Sequence, residues 1–210
     1  MDPMVLIIQI IILIISVIIH EVSHGAMANS LGDPTAKYAG RLTLNPLKHL
    51  DLWGSFIVPL SLLIMHSPVL FGWAKPVPVN FYNLKKQKSG PALVAAAGPC
   101  SNLLIALFFG LCLRIIPFGY SIYAQNFVQI LIYITIVNIL LAVFNLVPIP
   151  PLDGSKILFS ILPYKYHGAI ERFEKYSLFL LLFFIFFLFQ YVLPIVSWIF
   201  KIIVGTSILI

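Results

Sequence analysis

From Val5 to Ile19 the chain is apolar apart from Gln9 and Ser16, and the run continues to Ala28. About 25 residues at a rise of ~1.5 Å each cross a hydrocarbon core of ~30 Å, so the pattern predicts a membrane-spanning helix. The turn-forming stretch Asn29-Ser30-Leu31-Gly32-Asp33-Pro34 ends it. A polar, basic stretch with Lys37, Arg41, Lys48 and His49 leads into a second apolar run, Leu52 to Phe71, interrupted by Gly54, Pro59, His66 and Pro68. Those breaks predict a kinked span or a re-entrant segment. Gly72 to Asn80, with prolines at 76 and 78, reads as an extended piece whose alternate amides are expected to offer an edge to a substrate strand.

Two further spans are predicted over Pro91 to Ile116 and Phe127 to Val147, joined by the uncharged connection Phe118 to Gln125. The prolines of Pro148-Ile149-Pro150-Pro151-Leu152-Asp153-Gly154 open the backbone where Asp153 enters. Beyond it, Ala169 to Tyr176 reads as a short surface helix, and Tyr176 to Val192 with Ile195 to Ile210 as one or two hydrophobic segments divided around Pro194. The predicted fold is all-α: a polytopic transmembrane helix bundle with a re-entrant or extended segment between the first and second full spans. All 210 residues are expected to form one integral-membrane domain.

Composition agrees, with 60% hydrophobic and 10% charged residues. An ordinary soluble domain carries about 25% charged residues. The net charge of +6 comes from Lys and Arg between the apolar runs, so it is topogenic and does not indicate nucleic-acid binding. Met1-Asp2-Pro3 lacks the positive region of a cleavable signal, and the first helix is expected to stay in the mature protein. Cys100 and Cys112 are roughly three helical turns apart, too far for a disulfide.

Charge placement also predicts topology. The basic loops after Ala28, between Phe71 and Pro91, and after Asp153 belong on the cytoplasmic side of a cell membrane, and the uncharged Phe118 to Gln125 loop belongs outside. A Leu52 to Phe71 segment that crossed fully would break this rule, whereas a re-entrant one keeps it.

Within the first helix lies His20-Glu21-Val22-Ser23-His24. Residues four apart share a helix face, so His20 and His24 can present imidazole nitrogens to a single metal ion with Glu21 beside it. Ionisable groups at such depth are costly unless liganded or paired, which marks the cluster as functional. A catalytic zinc commonly has three protein ligands, and the candidates for the third are Asp153, His66 and Asp51, of which Asp153 is best placed, after a broken helix. Glu21 would be the general base toward a water activated by Zn2+. Asn102 and Asn145, amides in apolar helices, can bind a substrate backbone or tie helices together.

His20-Glu21-Val22-Ser23-His24, Ala97-Gly98-Pro99-Cys100-Ser101-Asn102 and Asn145-Leu146-Val147-Pro148-Ile149-Pro150-Pro151-Leu152-Asp153-Gly154 together resemble the site-2 protease family of intramembrane zinc metalloproteases. The resemblance spans most of the chain and is closest to minimal members without an inserted PDZ-type domain. It implies a zinc endopeptidase that cleaves transmembrane protein substrates in or near the bilayer. By the same resemblance His20, His24 and Asp153 would be the ligands, Glu21 the catalytic acid/base, and Asn145 a substrate-holding residue. The competing reading is a transporter or channel that uses the His, Glu and Asp cluster as an ion path.

Overall fold

The computed structural model describes residues 3–51, 54, 57, 60, 61, 64, 65, 75–116 and 122–205. Helix α1 spans Pro3–Ser30, and its first half exposes large apolar side chains, among them Met4, Ile7, Ile11 and Ile15. Its buried face is the stripe Ser16, His20, His24 and Ala28, four residues apart. A soluble helix hides its apolar face. Here the polar residues turn inward and the apolar ones outward, as a lipid-facing helix requires.

After the short helix α2, Thr35–Tyr38, and a single 3₁₀ turn at Pro46–Lys48, the chain reaches the apolar run 52–71. The expectation that Leu52 to Phe71 is re-entrant falls largely outside the described residues. Its flanks, however, meet: the Lys75 amide donates to the His49 carbonyl at 2.9 Å. Residues 75–80 form neither helix nor strand, with Asn80 in extended backbone at φ −105° and ψ 101°, and a 3₁₀ turn at Phe81–Asn83 follows them. The Lys85 amide then bonds the Leu31 carbonyl at 2.9 Å, which brings the chain back to the end of α1.

Helix α3, Gly90–Ile115, returns along α1, and helix α4, Ile122–Leu146, runs back beside it. Pro91 sits in the first turn of α3, where a missing N–H is harmless. Helix α4 begins five residues before the predicted Phe127, because Gln125, although polar, is a good helix former and does not interrupt the helix. Turns from Val147 to Leu152 replace the helix at the prolines, and the short helix α5, Asp153–Ile161, packs against α3 and α4.

Helix α6, His167–Lys175, buries no residue, as expected of a surface helix. Helix α7, Ser177–Phe183, continues through a π-helical turn at Phe184–Leu188 and a 3₁₀ turn at Phe189–Tyr191 into helix α8, Val192–Val204. The terminal apolar stretch is therefore one path, with Pro194 in the first turn of α8, where it removes no helical hydrogen bond.

Among the described residues, four helices are long and apolar enough to cross a membrane: Met4–Ser30, Gly90–Ile115, Ala124–Leu146 and Ser177–Val204. No strand occurs among the described residues. The chain is a polytopic helical membrane protein. Ala106, Leu113, Leu131, Ile139, Val196 and Phe200 join α3, α4 and α8 in one apolar core. A smaller cluster of Ala28, Leu84 and Val94 fixes the end of α1 to α3 and the incoming loop.

Candidate metal centre

The chain brings His20, His24 and Asp153 together, all buried, from the second half of α1 and the first residue of α5. The two Nε2 atoms lie 3.0 Å apart, and Oδ2 of Asp153 lies 3.1 Å from one and 3.0 Å from the other. His24 Nδ1 faces the Val94 carbonyl at 2.7 Å. A carbonyl only accepts, so Nδ1 carries the proton and the neutral ring keeps a lone pair on Nε2. His20 Nδ1 lies 2.6 Å from Oδ1 of Asn102, again an acceptor, which frees its Nε2 in the same way.

Two imidazole lone pairs and a carboxylate oxygen thus converge, each about 3 Å from the other two. Such a set repels itself unless a cation lies among the three atoms, and nitrogen and oxygen donors of this kind suit zinc. The residues fit the ion. Among the described residues this is the one such His/Asp group, and the alternative ligand Asp51 instead accepts the Gly54 amide at 2.7 Å. His66 lies outside the described residues.

Local sequence explains the close approach. Gly98 of α3 faces both imidazoles: a Cβ there would lie 2.6 Å from His20 Cε1. Asp153 is presented by the turn that the prolines force, with its second oxygen, Oδ1, 3.1 Å from Lys156 Nζ. Asp153 is buried, and the Lys156 cation beside Oδ1 favours its charged form. Lys156 is half exposed, so its pairing steers Oδ1 more than it stabilises the fold.

Glu21, beside the histidines on α1, accepts the backbone N–H of Val77 on Oε2 at 2.9 Å. The expectation of free alternate amides along Gly72 to Asn80 is corrected at this point: Lys75 bonds His49, Val77 bonds Glu21 and Asn80 bonds Asp33, while residues 72–74 lie outside the described ones. Val79 alone of the non-proline residues from 75 to 80 leaves its N–H without a partner among the described residues. Gly25, one turn beyond Glu21, makes room for the Val77 side chain, since a Cβ at Gly25 would meet Val77 Cγ1 at 2.7 Å. Glu21, His24, Asp153 and Lys156 line one cavity of about 210 Å³ together with Val77, Val79, Phe81, Val94 and Ala95.

The two asparagines part ways. Asn145 is half-buried and its Nδ2 donates to the Leu141 carbonyl at 2.9 Å, which leaves Oδ1 open. Asn102 does not face the cavity: it is fully buried, with Oδ1 on His20 and Nδ2 on Oδ1 of Asn138 at 2.8 Å. The expected substrate-binding role of Asn102 gives way to contact with a metal-site histidine. Asn138 was not singled out by the sequence, where it is one more amide in an apolar helix.

Comparison with known proteins gives the family. The sequence model of peptidase family M50 matches residues 112–188, the part that carries Asp153. YwhC of Bacillus subtilis, provisionally named a zinc metalloprotease, is 36% identical over 195 residues, which cover 90% of this chain and 82% of that protein. The chain belongs to peptidase family M50. This M50 member is also similar to MJ0611 of Methanocaldococcus jannaschii, 30% identical over 144 residues, and to Rip2 of Mycolicibacterium smegmatis, 29% identical over 142 residues. Both carry the same provisional name, and the chain spans 63% and 52% of their lengths. No solved structure matches the chain significantly. The M50 protein is a zinc metalloprotease of the site-2 protease group, as its three motifs predict, and the reading as an ion path is set aside.

Proposed function

We propose that this protease is a single integral-membrane domain that cleaves transmembrane protein substrates within the bilayer of the cell membrane, with His20, His24 and Asp153 holding Zn2+ and Glu21 as its general base. The observation that carries the reading is the convergence of three lone-pair atoms at 3.0–3.1 Å beside a glutamate on an apolar helix. From Met4, His20 lies roughly 24 Å along the helix axis, inside a hydrocarbon layer of ~30 Å and toward its far side.

When bound, zinc lowers the pKa of water and polarises a carbonyl. The chain's own groups do the rest. Glu21 takes the proton from the attacking water and passes it to the leaving amine, while the Val77 N–H holds its carboxylate toward the cavity. Lys156 keeps Asp153 turned so that Oδ2 faces the histidines. Val77, Val79, Phe81 and Val94 give the cavity apolar walls, which suit a substrate segment drawn from lipid. Such a segment must unwind, because a helix hides its carbonyls in its own hydrogen bonds. Asn145 Oδ1, left open, is placed in the reading as an acceptor for the unwound substrate backbone.

The site end is assigned to the cytoplasm, supported by Lys37, Lys85, Lys86, Lys88 and Lys165 in segments that meet at that end of α1, α3 and α5. Vesicles reconstituted with the protease and a single-span model substrate test the reaction. Cleavage that Glu21→Gln abolishes while zinc content holds supports the proposal; cleavage that persists in Glu21→Gln contradicts it.

A further inference from the structure

Below the metal centre a fully buried polar chain crosses α1, α3 and α4. Oδ1 of Asn102 lies on His20 Nδ1 at 2.6 Å; Nδ2 of Asn102 bonds Oδ1 of Asn138 at 2.8 Å and, more weakly, the Ser16 carbonyl at 3.4 Å. Nδ2 of Asn138 in turn bonds the Ile134 carbonyl and Ser16 Oγ, both at 2.9 Å. Asn102 and Asn138 have no exposed surface, and Ser16 and His20 are buried beside them.

This chain of bonds has a direction. An amide offers donors at one end and acceptors at the other, and a backbone carbonyl only accepts. The Ile134 carbonyl therefore requires the NH₂ end of Asn138, which turns its oxygen to Asn102. Asn102 must answer with its own NH₂, and its oxygen then faces His20. An oxygen at that position requires the proton of a neutral His20 on Nδ1 and leaves Nε2 bare. A reversed Asn102 would present donors to Nδ1 and move the proton to Nε2, where it would block a metal.

We infer that Asn138 is a positioning residue of the metal centre: through Asn102 it fixes the tautomer of His20 that can bind a metal ion. The inference rests on the reading of His20 as a ligand, and it extends the outer-shell rule that a ligating histidine donates its other N–H to a held acceptor. Three helices are coupled to one proton position, so a packing change at α4 reaches the ligand on α1 without touching it.

The test uses the full chain in detergent micelles. In the metal-free protein at alkaline pH, the ring-nitrogen shifts of ¹⁵N-labelled His20 are expected to report a protonated Nδ1 and a bare Nε2; a proton on Nε2 in the unmodified chain would overturn the inference. Asn138→Leu is expected to mix or reverse the tautomer and to weaken zinc, measured by chelator competition, by about 10- to 100-fold. Adding Asn102→Asp to Asn138→Leu should restore both, since a carboxylate has only acceptors to present and needs no orienting partner. An unchanged tautomer and zinc affinity in Asn138→Leu, or a double variant as weak as the single one, refutes the positioning role. Undiminished zinc in His20→Ala would instead sink the reading of His20 as a ligand, and the ring-nitrogen result on metal-free protein would still decide whether Asn138 sets the His20 tautomer.

Discussion

Val77 donates its backbone N–H to Oε2 of Glu21 at 2.9 Å across 56 residues of chain. An irregular loop is thereby joined to the carboxylate beside the metal centre. The loop is itself pinned on both sides, by Lys75 to the His49 carbonyl at 2.9 Å and by Asn80 to Asp33 at 2.7 Å. Position along the loop therefore decides how Glu21 is held.

A proline at 77 removes that donor. Hydrogen bonds to charged groups contribute about 1.5–3 kcal/mol, so Val77→Pro is expected to slow cleavage by about 10- to 100-fold at unchanged zinc content. Val79→Pro removes an amide with no partner among the described residues. Comparing kcat/KM of the two variants separates the Glu21 contact from strand pairing with substrate: an equal loss in Val79→Pro would show that substrate uses that edge as well.

Asp33 is the anchor of this loop and is fully buried. Burial raises its pKa, but hydrogen bonds from Thr35, from the Asn83 side chain and from the Asn80 amide outweigh that, and the net shift is downward. A carboxyl whose folded pKa lies below its unfolded value stabilises the fold above the unfolded value, about 3.9, and loses that contribution as pH falls through the folded one. Asp33→Asn is thus expected to lower the unfolding temperature at pH 7 and to converge on the unmodified protein as pH drops below about 4. Thermal unfolding in detergent at both pH values checks this. A constant gap would assign the loss to geometry and not to charge.

Gly98 is expected to tolerate no side chain. A Cβ there would meet both imidazoles, and overpacking a fixed site costs about 1–3 kcal/mol. Gly98→Ala should lower zinc affinity and cleavage together, whereas Gly40→Ala, at an open position with φ +64°, should destabilise the loop without touching zinc. Chelator competition on both variants distinguishes the two effects.

Topology has its own test. With Cys100 and Cys112 replaced, a cysteine at Lys86 is expected to react with a membrane-impermeant label only from the cytoplasmic side, and one at Tyr120 only from the outside. Labelling of position 86 from outside would reverse the assignment.

Much of this arrangement is legible in the sequence because it obeys local rules. The spacing of His20 and His24 follows from helix periodicity, and Asp153 stands out because the prolines before it cannot remain helical. The boundaries of α1 and α3 were likewise set by turn residues and a first-turn proline. What escaped was set by contacts between distant elements. The sequence marks Asn138 and Asn102 alike as amides in apolar helices, and only packing of α1, α3 and α4 makes one the partner of His20 and the other the partner of that partner. Likewise, an extended piece with two prolines reads as an open edge until the fold spends the Val77 amide on Glu21. The early start of α4 has a simpler cause: Gln is polar yet a good helix former, so Gln125 does not mark a helix boundary.

Zinc content decides whether these three side chains form a metal centre. Elemental analysis of the purified protein and of His24→Ala and Asp153→Ala, each shown by circular dichroism to keep its helices, should find about one zinc per chain in the unmodified protein and almost none in either variant. Undiminished zinc in both variants would contradict the assignment of His20, His24 and Asp153 as the metal centre.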